Sequence, residues 1–218
     1  SSYVLEPAPL EILHSADLVI VIDPSTGFGT GHHETTRLCL SLLQAFELAG
    51  RGVIDVGTGS GVLAIAAAKL GASSVVAFDE DPEALRNARE NVVRNDVSSR
   101  VDVQDAELGT FRGKAAEVVV ANLTGAVIQK YARQLAALVS PGGRLIVSGF
   151  SVAEATDVAA ALGHKIEREV AEGDWAAVLS RSGRCCRGWT SPFARPGSSR
   201  VELRSTSRTA IGHGQGQA

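Results

Sequence analysis

Few architectures accommodate the segment Asp55-Val56-Gly57-Thr58-Gly59-Ser60-Gly61. An apolar run, Val53–Val56, leads into it, and a helix-period segment, Ser60–Leu70, leads out and stops at Gly71. Glycines at alternate positions between a strand and a helix let the backbone turn sharply and approach a ligand closely, because no Cβ stands in the way. Such a turn belongs to an α/β sheet protein, where ligands bind outside the carboxyl ends of the strands. Its spacing separates ligand classes. A dinucleotide fingerprint needs its third glycine five residues after the first, and that position is Val62. Packing alone could also call for the glycines, so the turn needs support from elsewhere in the chain.

The rest of the chain alternates short Val- and Ile-rich runs with helix-period segments, as expected of βα units on a parallel sheet. Strands are predicted at Val53–Val56, Ser74–Phe78, Arg100–Val103, Glu117–Ala121 and Arg144–Gly149, with two more at Lys165–Ala171 and Trp175–Ser180. Helices are predicted at Ser60–Leu70, from Pro82 to about Asn95, and near Val127–Val139 and Ala153–Leu162. Asp81 before Pro82 supplies an N-cap and an N1 proline. Pro141-Gly142-Gly143 reads as a turn before a strand. Leu18–Ile22 alternates weakly and could add a strand. Only Glu172-Gly173-Asp174 joins the last two strands, too short for a crossover helix, so they are antiparallel neighbours. Five parallel strands closed by such a hairpin make the seven-stranded Rossmann-like sheet of class I S-adenosylmethionine-dependent methyltransferases, and G-x-G-x-G is the adenosylmethionine form of the glycine turn.

Composition sets the limits around this reading. At 218 residues and 44% hydrophobic, the chain can build one domain with a sizeable core. Five per cent aromatic residues argue against a nucleic-acid binder built on stacking rings. Residues 182–218 hold six Arg against the single acid Glu202, so the acidity of the chain resides in 1–181, a field that draws basic partners. That same tail is rich in Ser, Gly, Arg and Pro, has no periodicity, and is expected to be disordered. Cys39, Cys185 and Cys186 show neither ligand spacing nor a disulfide framework, which suits a reducing cytoplasm. No apolar run approaches the ~20 residues that cross a bilayer.

Four further places carry chemistry. Asp79 ends the second strand of the set, 22 residues after Gly57, near the ~20 at which an acid reaches ribose hydroxyls. Asp105, past the third strand, stands where a group can meet the adenine amine, although Asp102 or Glu107 could serve instead. Upstream, Asp23–Thr36 reads DPSTGFGTGHHETT, a loop that opens a helix. It misses the phosphate-loop pattern, and it is no zinc motif, since the fifth residue counted from His33 is Arg37 and no third ligand follows. Its hydroxyls and amides, Thr30, Gly31 and Thr36 among them, could bond the amino-acid end of a cofactor. The fourth strand delivers Asn122 to the reacting edge. Methyltransferases of amide or adenine nitrogens often read Asn-Pro-Pro-Tyr there; Leu-Thr-Gly follows Asn122 here, and an amine acceptor is the expectation.

Taken together, DPSTGFGTGHHETT, VIDVGTGSGVLAIAAAKLGA, FDEDPEALRNARENVVRN and VVVANL resemble the bacterial ribosomal protein methyltransferase A family, from about Asp23 to Arg181. The resemblance implies an S-adenosylmethionine-dependent enzyme that methylates lysine and other amines of the eleventh large-subunit ribosomal protein in the cytoplasm. From the residues themselves no metal and no membrane partner are expected, and direct nucleic-acid binding is not the expectation. By motif position the implied cofactor residues are Thr36, Gly57, Asp79 and Asn122, with Thr30, Gly31, Gly59 and Gly61 alongside and Asp55 and Asp105 added from the reading above. From its place at the end of the fourth strand, Asn122 is also the expected catalytic residue, orienting the amine together with loop carbonyls. Family members carry a separate N-terminal domain that captures the ribosomal protein. On that basis residues 1–22 are expected to be the remnant of a linker, 23–181 the catalytic domain, and 182–218 a tail without family counterpart. Readings from other classes are a nicotinamide-dependent oxidoreductase, which Val62 and the terminal hairpin oppose, and a cofactor binder without catalysis. A methyltransferase for another amine also stays open.

Overall fold

The structure is a computed structural model that describes residues 3–7, 18–23, 33–183 and 201–205, with only the backbone in the first and last of these. The order of elements is β1 (Tyr3–Pro7), β2 (Ile20–Ile22), α1 (Glu34–Leu43), β3 (Gly52–Val56), α2 (Val62–Lys69), β4 (Ser74–Asp79), α3 (Pro82–Arg94), β5 (Val101–Asp105) and β6 (Ala116–Asn122). There follow α4 (Gly125–Lys130), α5 (Ala132–Ala137), β7 (Val139–Ser151), a 3₁₀ turn, α6 (Ala155–Leu162), β8 (Lys165–Glu172), β9 (Trp175–Arg181) and β10 (Val201–Ser205).

Seven strands form one sheet in the order β5-β4-β3-β6-β7-β9-β8. The first five of that order run parallel, while β9 is antiparallel to both β7 and β8, so the expected closing hairpin is present. This is the class I methyltransferase fold. Period-two alternation divides the apolar side chains between two cores. Val53, Val118, Val120 and Ile146 face the α1 and α2 side. Ile54, Val56, Val119, Ala121, Leu145 and Val147 face the side that holds Ile128, Leu135 and Val158. Central strands covered on both faces must be apolar at every position, which is why VIDV and VVVA read as continuous runs. Asp55 is the polar interruption.

The helix ends follow local chemistry. Asp81 accepts a hydrogen bond from the Glu83 N–H at 2.9 Å, and Pro82 occupies the first turn. At the start of α2, Gly61 has φ +82°, and a Cβ there would come within 3.3 Å of the Ala88 main chain and side chain. Glycine thus permits both the left-handed turn and the close approach of α3.

Two expectations need correction. The helix predicted near Val127–Val139 is two short helices that break at Tyr131, and the strand after it starts at Val139 rather than Arg144. Val139 pairs with Ala116, so the main chain there bonds to the sheet instead of continuing a helix. Pro141-Gly142-Gly143 lies inside β7 as an irregularity, where a Cβ on Gly143 would come 2.8 Å from the Glu117 carbonyl oxygen. Second, within the tail expected to be without order, Val201–Ser205 pairs antiparallel with Tyr3–Pro7 in a three-stranded sheet ordered β10-β1-β2. The remainder of 184–218 lies outside the described residues. The strand foreseen within Leu18–Ile22 is β2.

Candidate functional site

The parallel strands β3, β4, β5 and β6 all end at one edge, and there a cleft of about 770 Å³ opens. Its floor is the glycine turn. Gly57 and Gly59 have φ of +66° and +54°, the left-handed region that favours glycine. The turn is latched to the neighbouring strand, since the N–H groups of Gly57 and Thr58 both donate to the Phe78 carbonyl, at 2.9 and 3.0 Å. The Gly59 N–H donates to Asp79 Oδ2 at 2.9 Å, and the Asp81 N–H donates to Asp79 Oδ1 at 3.0 Å. Asp79 is therefore half-buried and fixed in direction, with one further lone pair on each oxygen for a ligand.

Asn122 arrives from β6 and Thr36 from the first turn of α1, where they meet: Asn122 Nδ2 donates to Thr36 Oγ1 at 3.3 Å. The start of α1 is set by its N-cap, His33, whose Nδ1 lies 2.9 Å from Thr35 Oγ1. Arg37 holds the helix to the closing hairpin through two bonds to Glu172, Nε to Oε2 at 3.1 Å and Nη2 to Oε1 at 2.7 Å. Thr36, Gly57, Gly59, Asp79 and Asn122 thus share one cleft. Thr30 and Gly31 lie outside the described residues.

Three expected site residues do not line this cleft. Asp55 lies beneath the turn, 1% exposed. Its Oδ2 accepts from the Thr58 hydroxyl at 2.6 Å and from the Ala64 N–H at 3.1 Å, so it braces the turn against α2. Burial pushes its carboxyl up to about 7, against the lowering effect of those two bonds and with a small further rise from the charge of Asp79. Gly61 is spent on packing against α3. Asp105 ends β5 level with Asp79, but the wall is made by Ala106, Glu107 and Leu108.

The cleft also contains residues that sequence reasoning missed. Trp175 lies edge-on to His33, ring centroids 4.8 Å apart at 70°. It is the first residue of the antiparallel strand β9 and pairs with Ser151, the last residue of β7, so it comes out at the same edge as the parallel carboxyl ends. Strand direction was the available signal. Phe78 lines the cleft and stacks on Phe111 at 4.2 Å. Leu123, Tyr131 and Gly149 complete that side. Among the described residues no group of three or more His, Cys, Asp or Glu could hold a metal ion, and no helix is long and apolar enough to cross a membrane.

A family model described as ribosomal protein L11 methyltransferase (PrmA) matches residues 4–182. The chain is 46% identical over 168 residues to the ribosomal protein L11 methyltransferase of Heliobacterium modesticaldum, covering 76% of this chain and 53% of that protein. To the same-named protein of Halalkalibacterium halodurans it is 42% identical over 173 residues, covering 78% and 55%. The chain spans about half the length of the curated relatives it matches. Among solved structures, the ribosomal protein L11 methylase of Lactobacillus delbrueckii subsp. bulgaricus superposes with a TM-score of 0.65 at 32% identity, covering 70% of this chain and 81% of that one. An RNA methyltransferase from Salinibacter ruber in complex with S-adenosyl-L-homocysteine is similar in fold alone, with a TM-score of 0.55 at 22% identity over 72% of this chain and 93% of that one. With a family match along most of its length and a shared fold, the chain belongs to the ribosomal protein L11 methyltransferase (PrmA) family.

Proposed function

We propose that the chain is an S-adenosylmethionine-dependent protein N-methyltransferase whose acceptor is a lysine or other amine of ribosomal protein L11. The observation that carries this reading is the convergence of Gly57, Gly59, Asp79, Thr36 and Asn122 on one cleft at the carboxyl edge of the sheet. The residues fit the cofactor. Gly57 and Gly59 present bare main chain on the cleft wall, and both take a left-handed backbone that favours glycine. Asp79 can accept from a ribose diol, and Phe78, Val62 and Leu108 offer an apolar wall for a base.

The bound cofactor supplies a methyl group already activated by its sulfonium. The chain's own residues then have to position an amine and keep it neutral. A lysine of ordinary pKa ~10.4 must lose a proton before it can attack, and entry into a cleft walled by Trp175, Leu123 and Val127 favours the neutral form. The Asn122 amide and nearby carbonyls orient that amine. Alignment of this kind is worth several of the roughly 7–11 kcal/mol available from proximity. Asp55 faces away from the cleft and is assigned no proton transfer. The same reading places the protein in the cytoplasm and requires neither metal nor membrane.

The deciding assay incubates the chain with labelled S-adenosylmethionine and ribosomal protein L11, with and without a relative's N-terminal domain fused to it. Label on L11 amines is expected. Cofactor binding without any transfer, in either form, would leave only a binder, and binding of NAD in its place would end the methyltransferase reading.

A further inference from the structure

We propose that Gly149 is a positioning residue: as the extra residue of a β-bulge at the end of β7, it grips the main chain of Leu123 and so sets the Asn122–Thr124 loop against the cleft. The inference deepens the methyltransferase reading and rests on it.

In the pairing of β7 with β9, Ser148 opposes Ala177 and Phe150 opposes Ala176, which leaves Gly149 in excess. A bulge of this kind bends its strand and re-aims what lies next to it. Gly149 has φ +98°, and a Cβ built on it would lie 2.3 Å from the Leu123 carbonyl oxygen, 2.7 Å from its carbonyl carbon and 3.0 Å from its nitrogen. That is backbone against backbone, with no flexible side-chain end to swing aside. One residue earlier the Leu123 N–H donates to the Ser148 carbonyl at 2.9 Å, and the Ser148 hydroxyl donates to the Ala176 carbonyl at 2.8 Å, which ties the bulge to β9. From the other side, the Leu123 side chain presses on Gly57 of the cofactor turn. Since β3 and β7 flank β6 in the sheet, Leu123 is held between glycines from both neighbours. Gly163 makes the contrast. It too is left-handed, at φ +63°, yet a Cβ there meets nothing within 4 Å.

A methyl group at 149 must therefore displace Leu123, and with it Asn122, while Gly59 lies in the turn after β3 and Asp79 ends β4. The test compares Gly149→Ala with Gly163→Ala in the full chain. Cofactor affinity is read by calorimetry, kcat and KM on ribosomal protein L11, and hydrogen exchange at the Leu123 amide. For Gly149→Ala, kcat at saturating cofactor should fall about tenfold or more, since misplacement by 1 Å can cost ~10²-fold, while cofactor affinity falls by less. Leu123 exchange should quicken. Gly163→Ala should leave all three unchanged and lower only the melting temperature. If Gly149→Ala does not fold, Ser148→Ala, which loosens the same bulge by one hydrogen bond, should shift kcat and Leu123 exchange in the same direction by less. Unchanged kcat and exchange in the variant that folds, or a loss confined to cofactor affinity, overturns the proposal. The exchange result stands independently of activity, so a wild-type chain that transfers no methyl group would sink the functional reading by a separate readout.

Discussion

At the scale of single residues, the Asp55 carboxyl under the glycine turn holds its proton to a higher pH than a free aspartate, because the loss of water around it outweighs its bonds to Thr58 and Ala64. Its folded pKa of about 7 lies above the ~3.9 of an unfolded aspartate. The folded state then binds more protons, so this group's contribution to stability is complete below about pH 4 and is lost as pH rises through about 7. Asp55→Asn, neutral throughout, should be more stable than wild type at pH 8 by about 2–4 kcal/mol, with the gap closing toward pH 4. Urea unfolding at several pH values checks it. Asn122 calls for a different measurement. Asn122→Ala should lower kcat at saturating cofactor by roughly 10–10²-fold, more than it weakens cofactor binding, if the residue orients the acceptor as proposed. Full turnover in that variant would remove the orienting role. The glycines could be read from the sequence because a missing Cβ acts locally. The direction of Asp55 could not, because it depends on Asp55 sharing the Val53 face of β3 rather than the Ile54 and Val56 face.

Among the elements, α3 does more than cover the sheet. Asn91 and Asn95, one helical turn apart, reach both β2 and the glycine turn. Asn95 Oδ1 accepts from the Val21 N–H at 2.9 Å while its Nδ2 donates to the Val21 carbonyl at 2.7 Å, an amide standing in for a neighbouring strand. Asn91 Nδ2 donates to the Ser60 carbonyl at 2.9 Å, and its Oδ1 accepts from the Asp23 N–H at 3.1 Å. Arg94 adds an ion pair to Asp23. Asn91→Ala should cost about 1–3 kcal/mol, the usual result of deleting a buried hydrogen-bonding partner, and should weaken cofactor binding through Ser60. Denaturant unfolding and calorimetry would show the two effects together. A helix pattern reveals that Asn87, Asn91 and Asn95 share a face; it does not reveal that the face meets β2, since that contact spans 74 residues. The early start of β7 was hidden for a similar reason, because Val139 pairs with Ala116 of the neighbouring strand, 23 residues back in the chain.

For the whole molecule, the seven-stranded sheet is complete at Arg181 and the family match ends at 182. Strand β10 belongs to the other sheet, beside β1. A chain ended after Gly183 should accordingly keep the stabilisation that S-adenosylmethionine confers, about 2.7 kcal/mol at a hundredfold excess over Kd. Gly57→Ala should lose it, since the φ of +66° there is a left-handed backbone that an alanine rarely adopts. Thermal unfolding with and without cofactor checks both.

The sequence by itself determined the glycine turn, the alternation of strands and helices, the α3 cap and the antiparallel closing hairpin. Each of these rests on interactions within a few residues, or on a loop too short to cross the sheet. Only the tertiary structure decided that Asp55 braces the turn instead of facing the cleft, that Trp175 joins the site, and that Leu123 is clamped between Gly57 and Gly149. Those outcomes depend on β6 lying between β3 and β7, on the register of each pair, and on which face each side chain presents. Packing between distant segments sets all of them, and no local pattern encodes it.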